Sequence, residues 1–337
     1  MEDNNKKRKK RVLYLLLIVL VFGIMGATST YAWFSVNRIV FIDTINVKVE
    51  AQGGLEIATD AIDFKTLITS EDIKNAINTY PGAINQLPAR IEPVSTGGIL
   101  DTTTGHINMY YGNAEGNSSG NFVLSAVKTT DESSFGMESE GKYLAFDVFL
   151  KLIDGAGTGD LYLTAESGAS YEGDVPGIQN AIRYAFVVLG SYGTEVNPTL
   201  IQNLNNATQN DVYIWEPNYD VHNETAIANA MNVYNISVNE TGNDILDYDG
   251  VINPIPKNAN ITIDRATESL YPGYFRKVNV NYKSTADNEN NINIFDIPVG
   301  ITKIRVSIWL EGQDVDCENY SAIGNINFKF QFTTNPA

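Results

Sequence analysis

The sequence predicts a mainly β fold: an elaborated antiparallel β-sandwich with short helical insertions, preceded by an N-terminal apolar helix. Three observations carry this. Apolar and polar residues alternate with a period of two in segment after segment, the mark of strands with one buried face. These segments are rich in Val, Ile, Tyr and Phe, which suit a pleated, half-buried surface. Helical periodicity is confined to short stretches, and Gly-, Asn-, Ser- and Thr-rich runs separate the rest, as expected of turns and surface loops.

The apolar helix comes first. Six basic residues, Lys6, Lys7, Arg8, Lys9, Lys10 and Arg11, precede a stretch from Val12 to Asn37 that contains no Asp, Glu, Lys or Arg. A basic start, an apolar centre (Val12 to Gly26) and a small-residue exit (Ala27 to Ala32) form the layout of an export signal. Basic residues are retained on the cytoplasmic side, so the chain after Trp33 is expected outside. Two outcomes follow. Thr30 and Ala32 suit the −3 and −1 positions of a signal peptidase site, with cleavage between Ala32 and Trp33. Uncleaved, residues 12–34 are long enough to cross roughly 30 Å of hydrocarbon as a membrane anchor. Residues 1–32 are therefore a signal peptide or anchor, and residues 33–337 an extracellular domain.

The first strand of that domain reads as Ile39 to Ile42 running into Ile45 to Glu50, and Gln52-Gly53-Gly54 breaks it before Leu55-Glu56-Ile57. The period-two pattern returns at Tyr143–Ile153, Asp160–Ala165, Lys277–Tyr282, Ile304–Leu310 and Ile326–Phe332. Thr69 to Asp72 suits the start of a short helix, and Asn223 to Val233 has helical composition after a cap. Ile178 to Leu189 fits either period, with its second half read as a strand. Residues 112–121 and 191–211 read as long loops. No internal repeat or linker divides the chain, so the length beyond one sandwich is expected in loops and short helices.

The chain holds 23 Lys+Arg and 40 Asp+Glu; setting aside the first eleven residues, with six and two of these, leaves 17 against 38. A domain so acidic repels nucleic acid and anionic membrane, which excludes both as ligands of its surface. Cys317 is the only cysteine, so no intramolecular disulfide or thiolate zinc site can form; it reads as a buried, inert thiol.

The junction Thr30-Tyr31-Ala32-Trp33-Phe34, followed by Val47 to Ile57 with its Gly53-Gly54 turn, resembles the TasA and camelysin family of secreted biofilm-matrix fibre proteins. The resemblance covers about the first 60 residues and the overall plan; Trp215-Glu216-Pro217-Asn218 and Trp309 to Asp314 have no counterpart in it. It implies a jelly-roll subunit released by a dedicated signal peptidase. It also implies assembly by self-association, in which a freed N-terminal strand completes the sheet of a neighbour. Trp33, Phe34, Val36, Ile39, Phe41 and Ile45 are the apolar residues that would form that assembly strand. The alternative is that the segment packs as an edge strand of its own domain.

Motifs for catalysis are missing. His106 and His222 are the two histidines and lie in unrelated contexts, and no nucleophile elbow, His-Glu-x-x-His, phosphate loop or dinucleotide fingerprint occurs. The reading is therefore non-enzymatic, without an organic cofactor. Glu311, Asp314, Asp316 and Glu318 fall within eight residues directly after a strong strand. A chain that turns there would gather oxygens for a structural Ca²⁺; a solvated acidic loop is the plainer alternative. If extended, the segment would place Asp314 and Asp316 on one side. Asp244, Asp247 and Asp249 before Gly250 form a second acidic group without the remaining positions of an EF-hand. Glu216, Asn218 and Asp220 near His222 form a third. Tyr110, Tyr111 and Trp215 would supply stacking faces for a glycan if exposed, the alternative role being an adhesin or carbohydrate-binding module, with glycans or other surface proteins as partners.

Overall fold

The computed structural model describes residues 40–50, 54–76, 79–117, 119–129, 140–153, 158–172, 177–217, 221–234, 248–282, 291–317 and 324–334. The apolar N-terminal segment, the Ala32–Trp33 junction, Phe34, Val36, Ile39 and Glu318 lie outside these residues. Among the described residues no helix is long and apolar enough to cross a membrane. The architecture is mainly β, with several sheets and few helices.

The principal strands are β1 (Val40–Val49), β2 (Leu55–Ala58), β3 (Met109–Gly116), β4 (Phe122–Thr129), β5 (Leu144–Leu152), β6 (Thr158–Leu163), β7 (Gly168–Glu172), β8 (Ile182–Tyr192), β9 (Val212–Glu216), β10 (Tyr248–Val251), β11 (Phe275–Val278), β12 (Ile292–Pro298), β13 (Gly300–Leu310) and β14 (Asn325–Thr333). Helices are α1 (Ser70–Asn75), α2 (Pro198–Gln202) and α3 (Glu224–Tyr234). Thr69 caps α1 through a reciprocal bond pair with Asp72, which satisfies two backbone donors at the helix start.

The first large sheet pairs β1 with β14, and β14 in turn with β7 and β6; β12 follows β6. The second runs from the short strand Asn281–Tyr282 through β9–β8–β13–β5 to β2. The expected antiparallel pairing holds along β9–β8–β13–β5–β2, but Asn281–Tyr282 pairs parallel with β9, and at the heart of the first sheet β1 and β14 are parallel, with Val47 opposite Phe330. Parallel neighbours need a long connection. Here almost the whole described chain separates the two.

A register shift between Ile42 and Thr44 changes which face of β1 is buried: Val40 points inward before it, Ile45, Val47 and Val49 after it. This bulge joins into one strand the two segments that the alternation separates. Other segments of this chain flank β1 on both sides: β14 on one, and the short strands Leu67–Thr69 and Arg90–Ile91 on the other. Ile45 is in the core and Phe41 is half-exposed. The strand is thus internal to its own sheet rather than an edge.

The two sheets share one core. Ile326, Phe328, Phe330 and Phe332 of β14 face Phe146 of β5, Tyr184 and Phe186 of β8, and Val306 of β13. Phe330 packs edge-on against Tyr184, Phe186 and Phe332 at 5.6–6.0 Å between centroids, the arrangement aromatic quadrupoles favour. Cys317 is fully buried against this core.

The second sheet departs from the half-buried reading. All eleven residues of β13 are buried, including Lys303, Arg305 and Ser307, which alternate with the core residues Ile304, Val306 and Ile308. A covering layer closes this outer face. It comprises residues 80–110, the α2 segment to Ala207, and the β10–β11 region. Gly112 to Gly116, in a stretch read as a loop, belong to β3 and pair with β4; this hairpin builds a satellite core with Val251, Ile261 and Phe275. Gly250 is required where this region meets the sheet: a Cβ there would lie 1.8 Å from the Thr96 carbonyl oxygen. Close backbone approach, rather than a metal loop, accounts for the glycine after Asp249; Asp244 and Asp247 lie outside the described residues.

Charges bridge sheet and cover. Asp147 of β5 sits opposite Arg305 and accepts from its Nε at 2.8 Å and Nη2 at 3.1 Å, with Lys303 Nζ at 3.4 Å. Arg305 then donates to the Thr104 carbonyl, and Lys303 to those of Gln202 and Leu204. Burial pushes the Asp147 carboxyl up, but Arg305 and Lys303 outweigh it and hold it below the usual range. Burial, helped by Arg305, pushes His106 down to about 4.

Two outcomes follow. Asp147→Ala leaves two buried cations short of their anion and is expected to cost about 3–5 kcal/mol in denaturant unfolding. For His106, protonation favours the unfolded chain, so its contribution is complete above the ordinary value of 6.5 and is lost as pH falls towards about 4. The stability of the wild type relative to His106→Asn should therefore decline across that window; parallel pH profiles would contradict it.

Candidate functional site

At the other end of β13 the chain turns. Glu311 makes a bridge with Val94, and residues 312–314 lead into a 3₁₀ turn, Val315–Cys317. The segment is not extended, so Asp314 and Asp316 meet by a different route: the Asp316 amide donates to Asp314 Oδ1 at 2.7 Å.

Arg183, next to Trp309 across the β8–β13 pairing, lies 2% exposed at the centre of this region. Its Nη1 donates to the carbonyls of Asn180 and Ile182. Its Nη2 donates to Asp314 Oδ2 at 2.6 Å and lies 2.6 Å from Glu216 Oε1. The latter pair has charge contact without hydrogen-bond alignment, since Glu216 Oε1 has no hydrogen-bond partner. Glu216 is the last residue of β9, which ends before Pro217, a residue that cannot donate to a ladder. Glu311 accepts from Trp309 Nε1 at 3.0 Å and from the Gln313 amide at 3.1 Å.

Asp316 links this cluster to α3. Its Oδ1 accepts from the Asn223 amide at 2.8 Å, and its Oδ2 lies 2.8 Å from His222 Nδ1. Asn223 in turn accepts from Thr225 at the start of α3. Glu216, Glu311, Asp314 and Asp316 are all buried, and the His222 side chain is 3% exposed.

The local electrostatics follow from burial. It pushes Glu216 up to about 8 and Glu311 up to about 7, opposed by Arg183 and, at Glu311, by the Trp309 bond. Burial also raises Asp316. Burial lowers His222, but the Asp316 bond and the neighbouring carboxylates more than offset this. One oxygen each from Asp314 and Asp316 and a ring nitrogen of His222 lie within 4.8 Å of one another.

The structure thus unites parts of two groups that the sequence keeps 95 residues apart: Glu311, Asp314 and Asp316 with Glu216 and His222. Glu318, Asn218 and Asp220 lie outside the described residues. Arg183 was not singled out from sequence. The available signal was a lone cation within the apolar run Ile178 to Leu189, where a buried charge demands an anion. The aromatics considered for glycan stacking are mostly internal: Trp215 is 0% and Tyr110 3% exposed. Tyr111 is half-buried beneath the Lys142 ammonium, 4.0 Å from its ring centroid.

No protein-family model, curated protein or solved structure matches this chain.

Replacing Arg183 by Met is expected to destabilise the fold by about 3–5 kcal/mol, because it strands Glu216 and Asp314 in the interior. Denaturant unfolding of the variant checks this; a loss under about 1 kcal/mol would mean that the carboxylates are not held by Arg183.

Proposed function

We propose that this chain is a non-enzymatic exported protein of the cell surface or extracellular matrix, a structural subunit whose acidic β-rich domain stands outside the membrane. The observation that carries the reading is the charge discontinuity at the N-terminus: six basic residues, then no charge from Val12 to Asn37, then a strongly acidic remainder. The character of the domain supports it. Its polar clusters are spent on joining layers, and the His222 ring lies inside one of them.

On this reading the subunit is a jelly roll that assembles by N-terminal strand addition. Phe41 and Ile45 already belong to β1, which has partners on both sides. The donated segment is therefore Trp33 to Ile39, shorter than the sequence pattern suggests. Its apolar residues Trp33, Phe34, Val36 and Ile39 would fill pockets along a neighbour's sheet edge. Among the described residues the Ile292–Pro298 strand, β12, is the last of its sheet and would offer such an edge.

N-terminal sequencing of protein recovered from cells is expected to give a chain starting at Trp33; an intact Met1 species in the membrane fraction would contradict release. Deleting residues 33–39 should leave the folded domain intact by circular dichroism and abolish filaments in electron micrographs. Unchanged filaments would refute strand donation.

A further inference from the structure

We propose that His222, Asp314 and Asp316 hold a divalent metal ion of the zinc type, which clamps the start of α3 to the turn after β13. The three side chains come from two segments about 90 residues apart, and their ligating atoms already lie within 4.8 Å of one another. A tetrahedral ion with ligands near 2.0–2.2 Å separates them by about 3–4 Å, so small side-chain shifts close the site. Hydrogen bonds pre-orient both carboxylates: Asp314 by Arg183 and the Asp316 amide, Asp316 by the Asn223 amide. Such outer partners fix metal ligands in place.

Two features beyond the cluster of carboxylates point to a missing cation. The Nε2 of His222, on a side chain 3% exposed, is buried without a hydrogen-bond partner. Buried polar atoms are rarely left so. In addition, Glu216, Glu311, Asp314 and Asp316 face one another, and among the described residues Arg183 is the only arginine or lysine paired with them. A divalent ion would offset negative charge that burial otherwise disfavours there.

The donor set selects among ions. An imidazole nitrogen with two carboxylates suits Zn²⁺ and related first-row ions, whereas Ca²⁺ takes six to eight oxygens. Glu311 is not a ligand on this account, because it lies outside the group whose ligating atoms converge; its carboxylate accepts from Trp309 and Gln313 instead. The site stands whether or not the protein is a matrix subunit.

The test uses the full-length chain, purified in detergent, stripped with a chelator and dialysed against Zn²⁺, Mn²⁺ or Ca²⁺. Metal analysis is expected to find one Zn²⁺ per chain, with a raised Tm. Co²⁺ should give visible absorption bands, which Zn²⁺ displaces. His222→Gln, which keeps Arg183 and its partners, should weaken Zn²⁺ binding at least about tenfold. Failure of the stripped wild type to bind Zn²⁺ would overturn the proposal. So would Zn²⁺ affinity unchanged in a folded His222→Gln variant, or Ca²⁺ bound in preference to Zn²⁺. If His222→Gln fails to fold, the metal content, ion preference and Co²⁺ spectrum of the wild type still decide between these outcomes.

Discussion

The fold depends on one constraint: the central strand β13 has no exposed face. One side joins the apolar core between the two large sheets. The other would ordinarily meet water, and its residues are polar enough for that, but a covering layer encloses it. A charge cannot enter such a place unless it is paired and hydrogen-bonded. Both ends of the strand meet this condition, with opposite balance. Near Arg305 and Lys303 the cations outnumber Asp147. Near Arg183 the carboxylates outnumber the cation. The same pairs that neutralise the charges also attach the cover, because Arg305 and Lys303 donate to carbonyls of the covering segments and Asp316 receives the amide that precedes α3.

Much of this was legible in the sequence where alternation and burial agree. The Ile326–Phe332 pattern places four apolar residues on one face, and all four are in the core. The short helices at Ser70 and Glu224 follow caps visible in the chain. The alternation Ile304-Arg305-Val306-Ser307 gave the strand correctly and its burial incorrectly, since period two reports which side is apolar and not what lies over the polar side. The parallel pairing of β1 with β14 was illegible for a related reason: strand order depends on contacts between the two ends of the described chain. Glycine-rich residues 112–116 were hidden as a strand by low β-propensity, which pairing across the hairpin overrides.

The candidate site was half legible. Carboxylates clustered after a strong strand mark a place where the chain turns, and Glu311, Asp314 and Asp316 lie at that turn. What the spacing cannot show is convergence: Glu216 ends a different strand and His222 opens a different helix. Arg183, on which the cluster centres, sits in a run whose other members are apolar. Its position next to Trp309 on the outer face follows only once β8 is paired with β13. The charge of this acidic chain is divided: part of it lies on the surface, and part organises the interior.

Native-state hydrogen exchange followed residue by residue tests the central claim, that buried charges fuse the covering layer to the second sheet. The account predicts that the amides of Asn108, Tyr110 and Asn206, bonded within or from the cover, exchange only with the same global opening that exposes Ile304 and Val306 of β13. If the cover amides exchanged through an independent opening of much lower free energy while β13 stayed protected, the layer would be a loose covering and the account would be wrong.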